Sequence, residues 1–188
     1  MSSMAHRREP LTTAEYLELE SRSPVRHEFI DGFLYALAGV SNRHDRIVVN
    51  LIVSFGSRAR GTDCQVHTGE MMVRVSPTRY YYPDVHVTCQ PETDDSRTIT
   101  APCVVVEVLS PSTTGTDRRE KLCAYRQIET LRSYLIVHAD EKVIEQHWID
   151  NGVWRHDILE DNASVHIPCL DFDLDLADIY EGVTFEES

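Results

Sequence analysis

Two acidic residues stand in strongly apolar parts of this sequence. Glu107 lies inside "VVVEVLSPST", residues 104–113, a run that predicts a buried strand. Asp84 lies in "YYYPDVHV", residues 80–87, where Pro83 marks the start of another strand. Because burial of an unpaired carboxylate is costly, we expect each of these acids to have a cation close to it.

One divalent metal ion could serve both carboxylates. They are separated by 107 − 84 = 23 positions, so they can converge on one ion if their strands are neighbours in a sheet. Mg²⁺ prefers oxygen ligands, often completed by water and substrate phosphate. We therefore predict a Mg²⁺ or Mn²⁺ site formed by Asp84, Glu107 and the backbone carbonyl near Val108. The alternative is a buried salt-bridge network without a metal.

A lysine near such a site would complete the chemistry of phosphodiester hydrolysis. Lys121 lies in "DRREK", about one turn into the helix that we predict after the Glu107 strand. Its flexible ammonium could reach back over the strand end, orient the attacking water and stabilise charge that develops on a phosphoryl oxygen.

The charge distribution does not exclude nucleic acid as a substrate. The formal net charge is −13, which would oppose phosphate binding if it were evenly spread. Residues 1–138, however, carry 16 Lys and Arg against 17 Asp and Glu, whereas residues 139–188 carry 2 against 14. Arginines that could contact phosphates, or that could simply be solvated, are Arg43, Arg46, Arg58, Arg60, Arg74, Arg79, Arg118 and Arg119.

Apolar periodicity and turn residues predict one domain of α/β or α+β class, with a mixed sheet flanked by helices. The predicted order is a short helix in 11–21, a hairpin at Gly32, a long helix from 41, strands in 64–69, 71–77 and 81–89, a loop over 90–100, a buried strand in 101–110, a second helix in 111–129, a strand in 133–139, and a hairpin at Asn151-Gly152. The acidic tail, about 170–188, is expected to dock as an edge strand or a short helix.

The cysteines give no sign of a disulfide framework or a zinc knuckle. They are odd in number, widely spaced and never in a CxxC pair, so we interpret them as small core residues. The five are Cys64, Cys89, Cys103, Cys123 and Cys169. The first residues lack an apolar signal region, and the sequence has no long apolar run. Together with the cysteine pattern, these features indicate a cytoplasmic protein without a membrane partner.

Several of these motifs, taken in order, resemble those of the Uma-type restriction endonuclease family, a branch of the PD-(D/E)xK nuclease-like superfamily. The motifs are "HEFIDG", the His of "SNRH", "YPDVHV", "VVVEVLSPST" and "DRREKLCAYR", and the resemblance runs from about residue 12 to residue 150. It implies a restriction-endonuclease-like core and a divalent metal held by Asp84 and Glu107.

The resemblance also bears on three further positions. The superfamily motif has Lys two positions after the Glu, where this sequence has Leu109, and the family suggests that Lys121 supplies the ammonium instead. Glu28 matches a family position and could add a third carboxylate, although an exposed hairpin Glu is an equal alternative. His44 could contact a phosphate or the metal-bound water, or could only cap or pack its helix.

We therefore expect a metal-dependent endonuclease that acts on DNA in preference to RNA. Its small core offers limited surface for gripping a duplex, which favours a homodimer. A catalytically silent nucleic-acid-binding or regulatory module with the same fold is the alternative. Tyr80, Tyr81 and Tyr82 could stack on a base, but sheet packing is the more common role of consecutive tyrosines.

Overall fold

The structure, a computed structural model, describes residues 9–90, 93, 96–109 and 115–185, with the backbone alone at 115–117. Its helices are α1 (Thr13–Arg22), α2 (Asn42–Ala59), α3 (Gly115–Tyr125) and α4 (Leu176–Ile179). Its strands are β1 (His27–Ile30), β2 (Phe33–Ala36), β3 (Gln65–Thr68), β4 (Met72–Ser76), β5 (Arg79–Tyr81), β6 (Val85–Thr88), β7 (Thr98–Ile99), β8 (Pro102–Leu109), β9 (Ser133–His138), β10 (Val143–Asp150), β11 (Val153–Glu160), β12 (Ser164–Ile167) and β13 (Phe172–Asp175).

The first two helices begin where the sequence predicts caps. Thr12 and Glu15 form a capping box at the start of α1, which satisfies backbone N–H groups that have no partner within the helix. Ser41 caps α2 by accepting a hydrogen bond from the backbone N–H of His44. The cap residues expected for α3 lie in 110–114, outside the described residues.

Two sheets form the body of the fold. The larger has the strand order β11-β10-β9-β8-β6-β3, and its β8–β9 pair is parallel while its other pairs are antiparallel. The second has the order β2-β1-β5-β4-β7, and β12 pairs with β13 in a small third sheet. The parallel β8–β9 pair needs a crossover, which contains α3. The mixed α+β class predicted from the sequence is confirmed.

The stretch 81–89 is two strands rather than the single one that we predicted. Tyr80 of β5 pairs with Phe29 in the smaller main sheet, whereas Val85 of β6 pairs with Val106 in the larger one. Pro83, which has no backbone N–H, lies between them. This break moves the chain from one sheet to the other immediately before Asp84. The predicted loop 90–100 likewise contains the two-residue strand β7.

The acidic tail is part of the core up to residue 185. Leu174, Leu176 and Ile179 are buried against the larger sheet. The aspartates between and beside them, Asp171, Asp173, Asp175 and Asp178, are exposed. Both expected forms occur, because the segment enters an antiparallel strand, β13, and continues into α4. The partner strand β12 was not predicted.

The interpretation of the cysteines as isolated core residues is wrong. Cys64 is joined to Cys89, and Cys103 is joined to Cys169. The start of β3, the end of β6 and the start of β8 meet at one edge of the larger sheet, which brings together residues that are far apart in sequence. Cys123 is exposed and free.

In the described chain, every helix is too short or too polar to cross a bilayer.

Candidate active site

Asp84 and Glu107 lie on neighbouring strands of the larger sheet. Val85 is paired with Val106, so Asp84 and Glu107 are the next residues in an antiparallel register. The backbone N–H of Val108 donates a 2.7 Å hydrogen bond to Oδ2 of Asp84. The structure thus brings the two strand carboxylates to one place. It shows the N–H of Val108 in that contact, and a role for its carbonyl as a metal ligand remains a prediction.

Lys121 reaches this position from α3. Its Nζ lies 3.2 Å from Oε1 of Glu107 and 2.8 Å from Oε1 of Glu28. Glu28 belongs to β1 of the smaller main sheet and is only 5% exposed, which argues against the exposed hairpin alternative. Residues from both main sheets and from α3 therefore meet at this lysine.

Tyr125 is a member of the site that the sequence interpretation missed. Its hydroxyl donates a 2.8 Å hydrogen bond to Oε1 of Glu107. Tyr125 lies four positions after Lys121, a spacing that puts both side chains on the same face of α3. That spacing is the signal that could have identified it.

Burial and neighbouring charges shift the pKa values of two groups at the site. Burial, together with the charges of Asp84 and Glu28, raises the pKa of Glu107 to about 8, although Lys121 and the Tyr125 hydroxyl oppose the shift. Burial and the Glu107 charge also raise the pKa of Tyr125, so that its hydroxyl stays a donor at neutral pH. In the absence of another cation, Glu107 therefore holds a proton near neutral pH.

His44 faces Asp84 from the first turn of α2. Its Nε2 lies 3.3 Å from Oδ1 of Asp84, and the side chain is only 7% exposed. Burial alone would lower the pKa of His44, but the hydrogen bond and charge of Asp84, with the charges of Glu107 and Asp45, raise it above its usual value. The helix cap is provided by Ser41 rather than by this imidazole.

The chemistry of the donor set suits a hard divalent cation, and binding would have to draw the side chains together, because no three of those that the structure describes at this site hold ligand atoms within 4.8 Å of one another. Glu28, Asp84 and Glu107 offer carboxylate oxygens, the ligands that Mg²⁺ and Mn²⁺ prefer. When Glu107 is ionised, three carboxylates face the Lys121 ammonium and the His44 imidazole, so a divalent cation that displaces the Glu107 proton would balance their charge. The site is also open on one side, since the Asp84 side chain is 23% exposed.

The surroundings of the site leave only part of the predicted phosphate-binding surface free. Three of the candidate arginines are engaged in ion pairs, which join Arg43 to Asp140, Arg79 to Asp31 and Arg118 to Glu145. Arg46 is exposed, and with Arg43 it lines a cavity of about 460 Å³ at the start of α2.

The three consecutive tyrosines, Tyr80, Tyr81 and Tyr82, are at most 5% exposed, so they pack in the protein interior and do not offer a face to a base.

Comparisons with known proteins show which family and which fold this chain shares. Two proteins of Synechocystis sp. are similar in sequence: "Uncharacterized protein slr1290", 37% identical over 182 residues that cover 93% of this chain and 94% of that protein, and "Uncharacterized protein sll1609", 32% identical over 150 residues that cover 74% and 85%. A crystal structure described as "a putative nuclease belonging to DUF820 from Anabaena variabilis" superposes with a TM-score of 0.78 at 16% identity. It covers 93% of this chain and 100% of that one, and it shows the restriction-endonuclease-like fold. The sequence model of the Uma2 family, "Putative restriction endonuclease", matches residues 13–177, and the chain therefore belongs to that family.

Proposed function

We propose that the protein is a metal-dependent endonuclease that hydrolyses phosphodiester bonds of nucleic acid, with DNA as the expected substrate. The observation that carries the proposal is the meeting of Glu28 and Glu107 on Lys121, beside Asp84, which is the register neighbour of Glu107 and is held by His44. The family description and the nuclease named in the Anabaena variabilis structure support the same reaction class.

Asp84 and Glu107 would hold Mg²⁺ or Mn²⁺, with Glu28 and the carbonyl of Val108 as further candidate oxygens. When bound, such an ion polarises a phosphoryl oxygen and lowers the pKa of a water molecule. The protein contributes the positions of the ligands. The Val108 N–H orients Asp84, and the Tyr125 hydroxyl orients Glu107.

The ammonium of Lys121 acts on the water and on the phosphate. It is held by Glu28 and Glu107, so its three N–H donors lie beside the metal-binding carboxylates. From this position it can orient a water molecule and stabilise negative charge that develops on a non-bridging phosphoryl oxygen. His44, held by Asp84, can donate to a phosphate or to a water in its protonated form.

The test compares four substrates under four metal conditions. Supercoiled plasmid, linear duplex DNA, single-stranded DNA and RNA are incubated with Mg²⁺, Mn²⁺, Ca²⁺ or EDTA. We expect DNA cleavage with Mg²⁺ or Mn²⁺ that is lost in EDTA and in Glu107→Gln. Cys123→Ser, which changes an exposed residue two positions from Lys121 on α3, should cleave like the wild type. Variants purified in parallel control for contaminating nucleases.

Metal binding is measured separately by the electron paramagnetic resonance signal of Mn²⁺, which is lost when the ion binds protein. Binding that depends on Glu107, without cleavage of any substrate, would favour the catalytically silent module. Cleavage that survives in Glu107→Gln would refute the assigned site. Preferred cleavage of RNA would correct the substrate and leave the reaction class unchanged.

A further inference from the structure

Four of the five cysteines form one cluster at the edge of the larger sheet. Cys64 precedes β3, Cys89 follows β6, Cys103 belongs to β8, and Cys169 lies between β12 and β13. Two separate disulfides need only two pairs of neighbouring cysteines, yet here the two pairs adjoin each other. The Sγ atoms of Cys89, Cys103 and Cys169 all lie within 4.8 Å of one another.

The spacing between the two pairs matches the geometry of a tetrahedral metal site. Sγ of Cys89 lies 3.7 Å from Sγ of Cys103, which belongs to the other disulfide. Four thiolates about 2.3 Å from one Zn²⁺ ion, at tetrahedral angles, are separated by about 3.8 Å. The fourth cysteine adjoins this group of three: Cys64 is bonded to Cys89, and its Sγ lies 3.7 Å from the carbonyl oxygen of Cys169. Because Cys64 is not within 4.8 Å of all three other sulfur atoms, its side chain has to rotate towards them once its disulfide is reduced.

The environment of the cluster suits a closed, structural metal site. Cys103 is 7% exposed, and the other three cysteines are half-buried. A cavity of about 310 Å³ adjoins Cys89, Cys103 and Cys169 and offers a path for an ion. Arg132 lines the same cavity, where its positive charge would favour a tetrathiolate zinc centre with a net charge of −2.

We propose that Cys64, Cys89, Cys103 and Cys169 bind one Zn²⁺ ion when their sulfur atoms are reduced, and that the two disulfides are the oxidised form of this site. Thiolate ligands select zinc over the hard cations expected at the carboxylate site. The zinc would tie β6 and β8 together at the ends opposite to Asp84 and Glu107. Cys103 is four residues from Glu107 on β8, which is about 13 Å along an extended strand. The proposal does not depend on the nuclease function.

The two forms interconvert by a balanced reaction. Two molecules of a dithiol reductant transfer four electrons and four protons to the two disulfides, which gives four cysteine thiols and two molecules of oxidised reductant. One Zn²⁺ ion then replaces the four thiol protons, which are released to the solvent. In the reverse direction, two molecules of a disulfide oxidant accept four electrons from the four thiolates and four protons from the solvent, which restores the two protein disulfides, gives two molecules of dithiol and releases the ion.

The experiment measures zinc and thiols on the full chain. The protein is expressed with added zinc, purified with a dithiol reductant and without chelator, and analysed for zinc by mass spectrometry. Metal-free reduced protein is then titrated with Co²⁺, whose absorption spectrum reports tetrahedral thiolate coordination. We expect one zinc per chain, a cobalt spectrum of four thiolates, and one free thiol per chain after oxidation, that of Cys123.

Serine variants locate the site. Each of Cys64→Ser, Cys89→Ser, Cys103→Ser and Cys169→Ser should weaken Co²⁺ binding by more than about tenfold. Cys123→Ser and Glu20→Gln should leave it unchanged. The proposal is overturned if reduced wild-type protein binds neither ion, if the cobalt spectrum lacks sulfur-to-metal charge transfer, or if the serine variants bind like the wild type. The Co²⁺ spectrum of the wild-type protein shows by itself whether thiolates bind the ion, so the test still works if a serine variant fails to fold.

Discussion

Replacement of Glu107 by Gln should stabilise the metal-free protein, because the native carboxyl group is costly to bury. Its pKa is about 8 in the folded protein against 4.5 for an ordinary Glu, owing to burial and the nearby Asp84 and Glu28. A raised carboxyl pKa gives stability that is complete below pH 4.5 and lost as the pH rises to 8. Gln does not titrate, so the variant escapes this loss.

The size of the effect follows from the pH. At 1.36 kcal/mol per pKa unit, ionisation in the unfolded chain lowers the free energy of unfolding by about 3 kcal/mol at pH 7 and by less than about 1 kcal/mol at pH 5. Glu107→Gln should therefore have a higher free energy of unfolding than the wild type. The difference should grow by about 2 to 3 kcal/mol as the pH rises from 5 to 7. Comparing both proteins at each pH cancels the contribution of other titrating groups.

The assay is urea unfolding in EDTA at pH 5, 6 and 7, repeated with Mg²⁺. Mg²⁺ should stabilise the wild type by about 2.7 kcal/mol at 100 times its dissociation constant and should not stabilise Glu107→Gln. Glu20→Gln is the matched control. Glu20 is 2% exposed, and its carboxylate accepts hydrogen bonds from the His27 backbone and the Tyr82 hydroxyl, both at 3.0 Å. This control should lose about 1 to 3 kcal/mol and keep the response to Mg²⁺.

Two results would refute the reasoning. If Glu107→Gln is less stable than the wild type in EDTA at pH 7, or if the difference stays constant with pH, then Glu107 is not a costly buried acid. If Mg²⁺ still stabilises Glu107→Gln as much as the wild type, the metal binds elsewhere.

Four other changes test separate parts of the structure. Lys121→Ala should lower the single-turnover cleavage rate by about 100-fold with an unchanged circular dichroism spectrum, and Lys121→Arg should not restore the rate, because a planar guanidinium cannot replace a compact ammonium at a water molecule. Tyr125→Phe should cost about 1 to 2 kcal/mol in urea unfolding, since the donor to Glu107 is lost; an unchanged stability would show that this hydrogen bond contributes nothing. His86 is fully buried, and burial with the nearby His67 lowers its pKa to about 3, so its stability contribution is complete above pH 6.5 and lost as the pH falls. Below pH 6.5 the free energy of unfolding of the wild type should accordingly fall by up to about 1.4 kcal/mol per pH unit relative to that of His86→Phe. Parallel plots of unfolding free energy against pH for the two proteins would contradict this. Gly32→Ala should lower the melting temperature, because φ is +98° and a Cβ would lie 2.3 Å from a proline side chain, whereas Gly39→Ala, where a Cβ meets nothing within 4 Å, is the control.

Local signals in the sequence predicted those elements that depend on neighbouring residues. The caps at Thr12 and Ser41 and the apolar spacing of α2 identified the first two helices, and the unbroken valines identified β8. The Asn151-Gly152 hairpin followed from a turn that requires positive φ, which both residues adopt. Each of these features depends only on residues that lie a few positions apart in the sequence.

Long-range pairing explains what the sequence did not reveal. Whether 81–89 is one strand or two depends on which partners Tyr81 and Val85 find, and those partners, Val73 and Val106, lie in different sheets. The four clustered cysteines depend on the same pairing, because the closest two in sequence are 14 positions apart. Tyr125 carried a usable signal, since the prediction that Lys121 faces the site also implies that the residue four positions later does so.

The break at Pro83 explains how a lysine on a helix can reach the carboxylates of the candidate site. Because the chain leaves the smaller main sheet before Asp84 and joins the larger one after it, Asp84 lies where the two sheets meet, and Glu28 approaches from the other side. A lysine at position 109 would have to reach both carboxylates from the strand that already carries Glu107. Lys121 instead reaches Glu28 and Glu107 from above the strand end, so each of the two main sheets supplies one of its partners. The ammonium is therefore placed only when both sheets and α3 are packed together, which makes the candidate site a product of the complete fold.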